Sequence, residues 1–144
     1  MRILVTGATG FLGGHLVRAL QARGHAVRAQ GRDPAKCAAM QAIGVETVRA
    51  ELGDREALMA ACAGIDAVIH VAALSSPWGS RRAFYEANVV GTEHVIAGCR
   101  AHRVGRLIHV SSPSVVFDGR DHIDLIEDAP YPRRFLSHYA ETKK

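Results

Sequence analysis

The sequence predicts an α/β fold built on a doubly wound parallel sheet, and three features of its 144 residues indicate this class. Short apolar runs alternate with segments of helical periodicity along the whole chain. A glycine-rich turn at residues 6–13 separates the first apolar run from the first helical segment. The run at 67–71 is apolar enough to be buried on both faces of a sheet, as parallel strands are. Strands joined by helical crossovers predict three layers, α/β/α.

Strands and helices are expected to alternate throughout. The strands are predicted at residues 2–6, 26–30, 45–50, 67–71 and 106–111. The helices are predicted at about 11–23, 33–44, 54–63 and 81–103, with a last one from near 137 after a loop over 113–136. Asp33 followed by Pro34 is typical of a helix start. A glycine follows each of the first three helices, because glycine readily adopts the left-handed conformation that ends a helix: Gly24, Gly44 and Gly64.

The composition is that of an ordinary globular domain, and it excludes several classes of protein. No apolar stretch is long enough to span a membrane and the first residues lack the layout of a signal peptide, so we expect a cytoplasmic protein without a membrane partner. Three widely spaced cysteines form neither a disulfide framework nor a zinc motif, and no metal site is expected. The net charge of +4 is dispersed and has no motif behind it, so no nucleic-acid partner is expected.

Gly7, Gly10 and Gly13 follow a predicted strand and open a predicted helix, which is the context of a nucleotide-binding turn. Glycine takes backbone angles closed to other residues and lets the main chain approach a ligand closely. Unpaired N–H groups at the start of the next helix then face a pyrophosphate. The corresponding strand order is 3-2-1-4-5, with a crevice at the carboxyl ends of the strands. The sequence therefore predicts a dinucleotide site in this crevice.

A second group of reactive side chains is predicted to reach the same crevice. Tyr139 and Lys143 are four residues apart on one face of the last helix, and Ser111 and Ser112 end the fifth strand. A hydroxyl that hydrogen-bonds a substrate oxygen and a phenol that donates a proton to it suit carbonyl reduction, and a lysine near a phenol favours the phenolate. These residues predict an oxidoreductase that transfers a hydride between a nicotinamide cofactor and a ketone or secondary alcohol.

Five segments carry a resemblance to a known family: TGATGFLG (6–13), IHVAA (69–73), NVVGT (88–92), HVSSPSVV (109–116) and YAETK (139–143). The chain resembles the N-terminal part of an extended short-chain dehydrogenase/reductase, a Rossmann-like fold in the NAD-dependent epimerase/dehydratase superfamily. It is most similar to the 3β-hydroxysteroid dehydrogenase-like branch and to bacterial 2-alkyl-3-ketoalkanoate reductases. The resemblance implies an apolar 3-keto or 3-hydroxy small-molecule substrate, steroid-like or long-chain acyl. A nucleotide-sugar epimerase or dehydratase and a non-catalytic NAD(P)-sensing module are the alternatives.

The resemblance also implies roles for individual residues. Ser112 would be the catalytic hydroxyl, with Ser114 as a substitute, Tyr139 the acid/base, and Lys143 its partner, which also bonds the nicotinamide ribose. Asn88 would hold a water or the active-site backbone. The cofactor would contact the three glycines together with Phe11, Leu12, Glu51, Leu52, Ala72, Ala73 and Leu74, where Glu51-Leu52 stands in place of the family's usual Asp-Leu. In relatives the fourth and last helices form a dimer bundle, which implies a homodimer.

The end of the second strand, Gln30-Gly31-Arg32-Asp33, favours NADP over NAD as the cofactor. An acidic residue there would bind the ribose hydroxyls of NAD, whereas Arg32 can make a charge-assisted bond to a 2′-phosphate. Asp33 is free to cap the following helix.

Four further side chains carry weaker signals. His70 and His109 are expected to be core or crevice histidines rather than metal ligands. His138 and Trp78 could contact a substrate or have plain surface and packing roles. Because the resemblance implies a substrate domain after the last helix, residues 1–144 are expected to be a truncated NAD(P)-binding domain. In it, cofactor binding would be weak, turnover absent and strand five an exposed edge.

Overall fold

The computed structural model covers residues 1–144 and confirms the α/β class. The strands are β1 (Arg2–Thr6), β2 (Ala26–Gly31), β3 (Glu46–Arg49), β4 (Ala67–His70) and β5 (Arg106–His109). The helices are α1 (Phe11–Ala22), α2 (Pro34–Ala42), α3 (Arg55–Ala61), α4 (Arg81–Phe84), α5 (Gly91–Ala101) and α6 (His138–Lys143). A π-helical segment, Tyr85–Val90, joins α4 to α5, and a 3₁₀ turn follows β5 at Pro113–Val116.

The five strands form one parallel sheet in the order β3-β2-β1-β4-β5, as the sequence predicted. In the register, Val5 of β1 lies opposite Ala29 of β2 on one side and Ile69 of β4 on the other. The carboxyl ends of the central strands therefore meet at one edge, where the direction of winding reverses. This edge is the place where a ligand site is expected in such a sheet.

The apolar core lies on both faces of the sheet, because successive side chains of a strand point to opposite faces. Leu4 packs against α3 and α5 with Leu58, Val68 and Val95. Its neighbours in β1 pack on the other face, where Val17 of α1 joins them. Burial on both sides accounts for the continuous apolar character of β1 and confirms the three-layer arrangement.

The prediction of one regular helix over 81–103 is wrong in its middle, where the chain is π-helical over Tyr85–Val90. The Thr92 hydroxyl donates to the Asn88 carbonyl oxygen at 2.6 Å. A threonine hydroxyl that bonds back to the preceding turn competes with the regular backbone ladder and bends helices. Single π turns are frequent at functional sites, and this one carries Asn88.

β5 forms the edge of the sheet and leaves most of its residues exposed, as expected. It ends at His109, two residues earlier than predicted. Asp33 caps α2 by accepting hydrogen bonds from two main-chain N–H groups. None of the helices combines the length and the apolarity that crossing a bilayer requires.

Candidate active site

A cleft of about 920 Å³ opens at the carboxyl ends of the strands. All thirteen residues that the sequence analysis connected with the cofactor line it. They are Gly7, Gly10, Phe11, Leu12, Gly13, Arg32, Glu51, Leu52, Ala72, Ala73, Leu74, Tyr139 and Lys143. The fold therefore brings the segments after β1, β2, β3 and β4 together with helix α6 at one surface.

The glycine turn places bare main chain against the cleft. Gly7 has φ +65°, and a Cβ there would lie 2.8 Å from the main chain of Ala72. A Cβ on Gly13 would overlap the Gly7 carbonyl oxygen. Gly10 is the N-cap of α1, so no side chain caps that helix. The first N–H groups of α1 are thus left for a ligand, which suits an anionic group such as a pyrophosphate.

Gln30 braces the glycine turn from behind, a role that the sequence analysis did not assign. The buried Gln30 side chain accepts a hydrogen bond from Gly7 N at 3.0 Å and donates one to the Ala50 carbonyl oxygen at 2.6 Å. Its carboxamide is consequently committed to the protein interior. A carboxamide beside apolar residues near the end of a central strand was the available signal, because a buried amide must find partners.

The end of β2 presents positive charge to the cleft. Arg32 and Lys36 line it, and neither forms a salt bridge in the structure. The nearby Asp33 carboxylate accepts hydrogen bonds from Ala35 N at 2.9 Å and Lys36 N at 3.1 Å. Capping therefore engages Oδ1 of this carboxylate, while the two cations form no salt bridge with it.

Tyr139 and Lys143 both line the cleft, one turn apart on α6. Lys143 is only 3% exposed, and its Nζ lies 3.3 Å from Nε2 of His109. Burial lowers the pKa of the Lys143 amine, and burial followed by the Lys143 charge lowers the pKa of His109. An ammonium group only donates hydrogen bonds, so His109 accepts this one as a neutral ring. The lysine has no carboxylate partner.

A buried hydrogen-bond network underlies this part of the cleft. His70 Nε2 lies 2.9 Å from the Thr92 hydroxyl, and Nδ1 lies 2.6 Å from the Thr6 hydroxyl. The Thr92 hydroxyl gives its proton to a carbonyl, so Nε2 of His70 is the donor and Nδ1 the acceptor. The Thr6 oxygen accepts from Val71 N and Ala72 N at 3.2 Å each. A neutral His70 thereby holds the chain that forms the cleft wall.

The predicted serine is not among the residues that line the cleft. The Ser112 hydroxyl lies 2.8 Å from the hydroxyl of Ser114, the alternative candidate. Ser111, its neighbour, does line the cleft and donates to the Lys143 carbonyl oxygen at 2.9 Å. Ser111 therefore holds the end of α6, a role that only the tertiary contact reveals.

Asn88 lies behind the cleft wall and is 3% exposed. Its Oδ1 accepts from Leu74 N at 2.7 Å, and its Nδ2 donates to the Leu74 carbonyl oxygen at 3.1 Å and to the Thr142 hydroxyl at 3.0 Å. One side chain thus ties the loop after β4 to the helix that carries Tyr139 and Lys143.

A second cavity of about 980 Å³ adjoins the cleft on the far side of Tyr139. It lies between the loop after β4 and the segment before α6, and Tyr139 lines both spaces. Trp78, which is 84% exposed, and His138 are part of its wall. Tyr139 thus lies where a space suited to a dinucleotide meets a space suited to a second molecule.

Comparison with known proteins agrees with this geometry. Residues 3–144 match the NAD dependent epimerase/dehydratase family. A 2-alkyl-3-oxoalkanoate reductase of Stenotrophomonas maltophilia is 43% identical over 145 aligned residues, covering 99% of this chain and 43% of the relative. A 3-beta-hydroxysteroid dehydrogenase of Mycolicibacterium neoaurum is 36% identical over 149 residues, covering 99% of this chain and 40% of the relative.

A solved structure shows the same fold. A short-chain dehydrogenase/reductase superfamily protein from Agrobacterium tumefaciens with bound NAD superposes with a TM-score of 0.84 at 33% identity, covering 99% of this chain and 42% of the other. The chain spans about two fifths of the length of the relatives it matches.

Proposed function

Because the chain belongs to the NAD dependent epimerase/dehydratase family, we propose that it binds NADP(H) in the cleft and takes part in reducing a ketone to a secondary alcohol. One observation carries the proposal: Tyr139 and Lys143 line the same cleft as the glycine turn. Similarity to a 2-alkyl-3-oxoalkanoate reductase and a 3-beta-hydroxysteroid dehydrogenase supports an apolar 3-keto or 3-hydroxy substrate.

The residues of the cleft fit a dinucleotide. A Cβ on Gly7 or Gly13 would collide with main chain, and the uncapped start of α1 offers N–H groups to an anion. Ala72, Ala73 and Leu74 supply an apolar wall for a ring. The bound nicotinamide would supply a hydride to the substrate carbonyl carbon. We assign the pyrophosphate to the glycine turn and the nicotinamide ribose to Lys143.

In this mechanism Tyr139 gives its phenolic proton to the substrate oxygen as the carbonyl is reduced. The Lys143 ammonium favours the phenolate that remains. His109 accepts a hydrogen bond from that ammonium and so orients it. The resemblance assigns the hydrogen bond to the substrate oxygen to Ser112 or Ser114, whose hydroxyls pair with each other at 2.8 Å beside the cleft lining. Asn88 keeps the helix in place through Thr142 and the main chain of Leu74.

We further propose that NADP is preferred over NAD. Arg32 after β2 and Lys36 in the first turn of α2 form no salt bridge, and Asp33, which lies between them in the chain, caps α2. A guanidinium group makes strong charge-assisted bonds to a phosphate. The relative whose structure contains NAD marks NAD as the alternative.

Cofactor titration tests the binding part of this proposal. We expect Arg32→Gln to weaken NADPH binding roughly tenfold, as a charge-assisted hydrogen bond of about 1.4 kcal/mol requires, and to leave NADH binding unchanged. Arg100→Gln, an exposed arginine of α5 outside the cleft, is the matched control. If Arg32→Gln bound NADPH as tightly as Arg100→Gln does, the NADP assignment would be refuted.

Turnover tests the chemical part. In this chain joined to the substrate domain that the resemblance implies, we expect NADPH oxidation that depends on an added 2-alkyl-3-ketoacid, and a roughly 10²–10⁴-fold loss of rate in Tyr139→Phe with cofactor affinity retained. NADPH binding without oxidation by any ketone would identify a sensing module instead. NAD that remains bound through purification, together with conversion of a nucleotide sugar, would favour an epimerase.

A further inference from the structure

We propose that the second cavity holds the carboxylate of an amphipathic acid on Arg133 and Arg134, with the apolar part of the acid beside them. The proposal rests on the proposed function and assigns two residues to the acid group of its 3-keto or 3-hydroxy substrate. Arg133 and Arg134 lie in the loop before α6 and line the cavity.

The charge of the cavity favours an anion. Three arginines and one glutamate line it, and the Glu141 carboxylate is engaged by Arg81, with Nη2–Oε1 at 2.6 Å and Nε–Oε2 at 3.1 Å. Arg133 and Arg134 form no salt bridge. Guanidinium groups stay charged at physiological pH and match a carboxylate with two parallel hydrogen bonds. The cavity therefore keeps two positive charges that the protein does not neutralise.

The remaining walls favour an apolar body rather than a sugar or a nucleotide. Trp78, Phe84, Phe135 and Leu136 line the cavity, and the side chains of Trp78 and Leu136 are 84% and 60% exposed. Large exposed apolar side chains beside charged groups are typical of a binding surface. An acid bound here would cover both the aromatic surface and the two guanidinium groups.

The position of Tyr139 connects this cavity to the chemistry. Tyr139 lines both the cavity and the cofactor cleft. An acid anchored by its carboxylate in the cavity would bring carbons close to that end toward the phenol. The reacting oxygen is accordingly expected near the carboxylate, as in a 3-keto acid, rather than at the far end of the apolar chain.

Trp78 is the only tryptophan of the chain, so its fluorescence reports on this cavity alone. The experiment titrates the 144-residue chain, without cofactor, with 3-hydroxydecanoate, its methyl ester and UDP. We expect a saturable fluorescence change with the acid and binding of the ester weaker by roughly tenfold or more, because the ester lacks the charge. Equal affinity for acid and ester, tighter binding of UDP, or no saturable change would overturn the proposal.

Substitution locates the site. The double variant Arg133→Gln/Arg134→Gln keeps side-chain length and removes the charge, and it should weaken acid binding by roughly tenfold while leaving ester binding unchanged. Arg120→Gln is the matched control, because Arg120 is an exposed arginine of the same loop outside the cavity. Circular dichroism verifies that the variants are folded. Wild-type affinity for the acid in the double variant would overturn the assignment to these two arginines.

The titration is independent of turnover, so the two proposals can fail separately. Binding of the acid with the expected charge dependence, together with no NADPH binding and no NADPH oxidation by the chain joined to a substrate domain, would refute the reductase and support the carboxylate site. NADPH-dependent reduction of a 3-ketoacid with the same KM in wild type and the double variant would support the reductase and refute the carboxylate site.

Discussion

Acid is expected to destabilise this chain through His70, at the end of β4. His70 is fully buried, and burial, followed by the charges of His109 and Lys143, lowers its pKa from 6.5 to about 3. Between these two values the unfolded chain binds a proton that the folded chain does not. The free energy of unfolding is therefore fully retained above pH 6.5 and decreases as the pH falls from there toward 3.

The size of the effect follows from this one-proton difference. Each pH unit within the window lowers the free energy of unfolding by about 1.4 kcal/mol, so the loss between pH 7.5 and pH 5 is about 2 kcal/mol. Protonation would also make Nδ1 a donor toward the Thr6 hydroxyl, whose oxygen already accepts from two main-chain N–H groups. A small domain has about 5–15 kcal/mol of stability in total, so this loss is measurable.

Urea denaturation at pH 7.5 and pH 5 measures the effect, with wild type compared to His70→Gln. The other histidines are present in both proteins, so the difference between their pH dependences isolates His70. The variant should lose about 2 kcal/mol less than wild type over this range. His102→Gln, at the exposed end of α5, is the control for removing an imidazole.

Identical pH dependence of wild type and His70→Gln would refute the reasoning. If the variant does not fold, the ring signals of His70 in wild type decide the matter by NMR. They should stay at the neutral position down to pH 5, and a titration with a midpoint near 6.5 would contradict the assigned pKa.

Three further predictions concern packing. Gly13→Ala should lower the free energy of unfolding in urea by about 1–3 kcal/mol, because its Cβ would lie 2.7 Å from the main chain of Ala8. The control is Gly14→Ala, whose Cβ would have no neighbour within 3.5 Å. It should be neutral or stabilise α1 by up to about 1 kcal/mol. Asn88→Ala should lower stability by about 1–3 kcal/mol, seen in thermal denaturation, since it leaves the Leu74 N–H without a partner. Cys62, whose pKa burial raises to about 12, should resist iodoacetamide at pH 9 in the native chain and react once unfolded, as mass spectrometry would show.

Each of these has a clear contrary result. Equal stabilities of the two alanine variants would show that the glycine turn is not closely packed. Wild-type stability of Asn88→Ala would mean that water replaces its hydrogen bonds. Native alkylation of Cys62 at the rate of an exposed thiol would show that its pKa is ordinary.

Much of the fold followed from local patterns. Apolar runs, helix caps and the glycines after α1, α2 and α3 mark the elements to within a few residues. The order of the strands followed from the glycine turn and the alternation of strand and helix. The π-helical segment did not, because the helical spacing of apolar residues does not distinguish a single π turn from the α-helix around it.

In the candidate site, the residues of the cofactor cleft could be predicted from the sequence, but the orientation of the serines after β5 could not. Every predicted cofactor residue lies in the cleft, because parallel strands bring their following loops to one edge. Beyond β5, Ser111 lines the cleft, whereas Ser112 is hydrogen-bonded to Ser114 and is not part of the lining, and its catalytic role stays a prediction. Adjacent residues of an extended chain point in opposite directions, and the sequence contains no sign of which one faces inward.

The amino-acid order by itself determines short-range features: which segments are strands or helices, and where a turn requires glycine because a Cβ would collide with the main chain. The partners of buried polar groups are decided by packing. Gln30 reaches Gly7 and Ala50, and His70 reaches Thr6 and Thr92, across 20 to 64 residues of chain. A buried polar atom must be satisfied, but many donors and acceptors could satisfy it, and only the folded chain selects one.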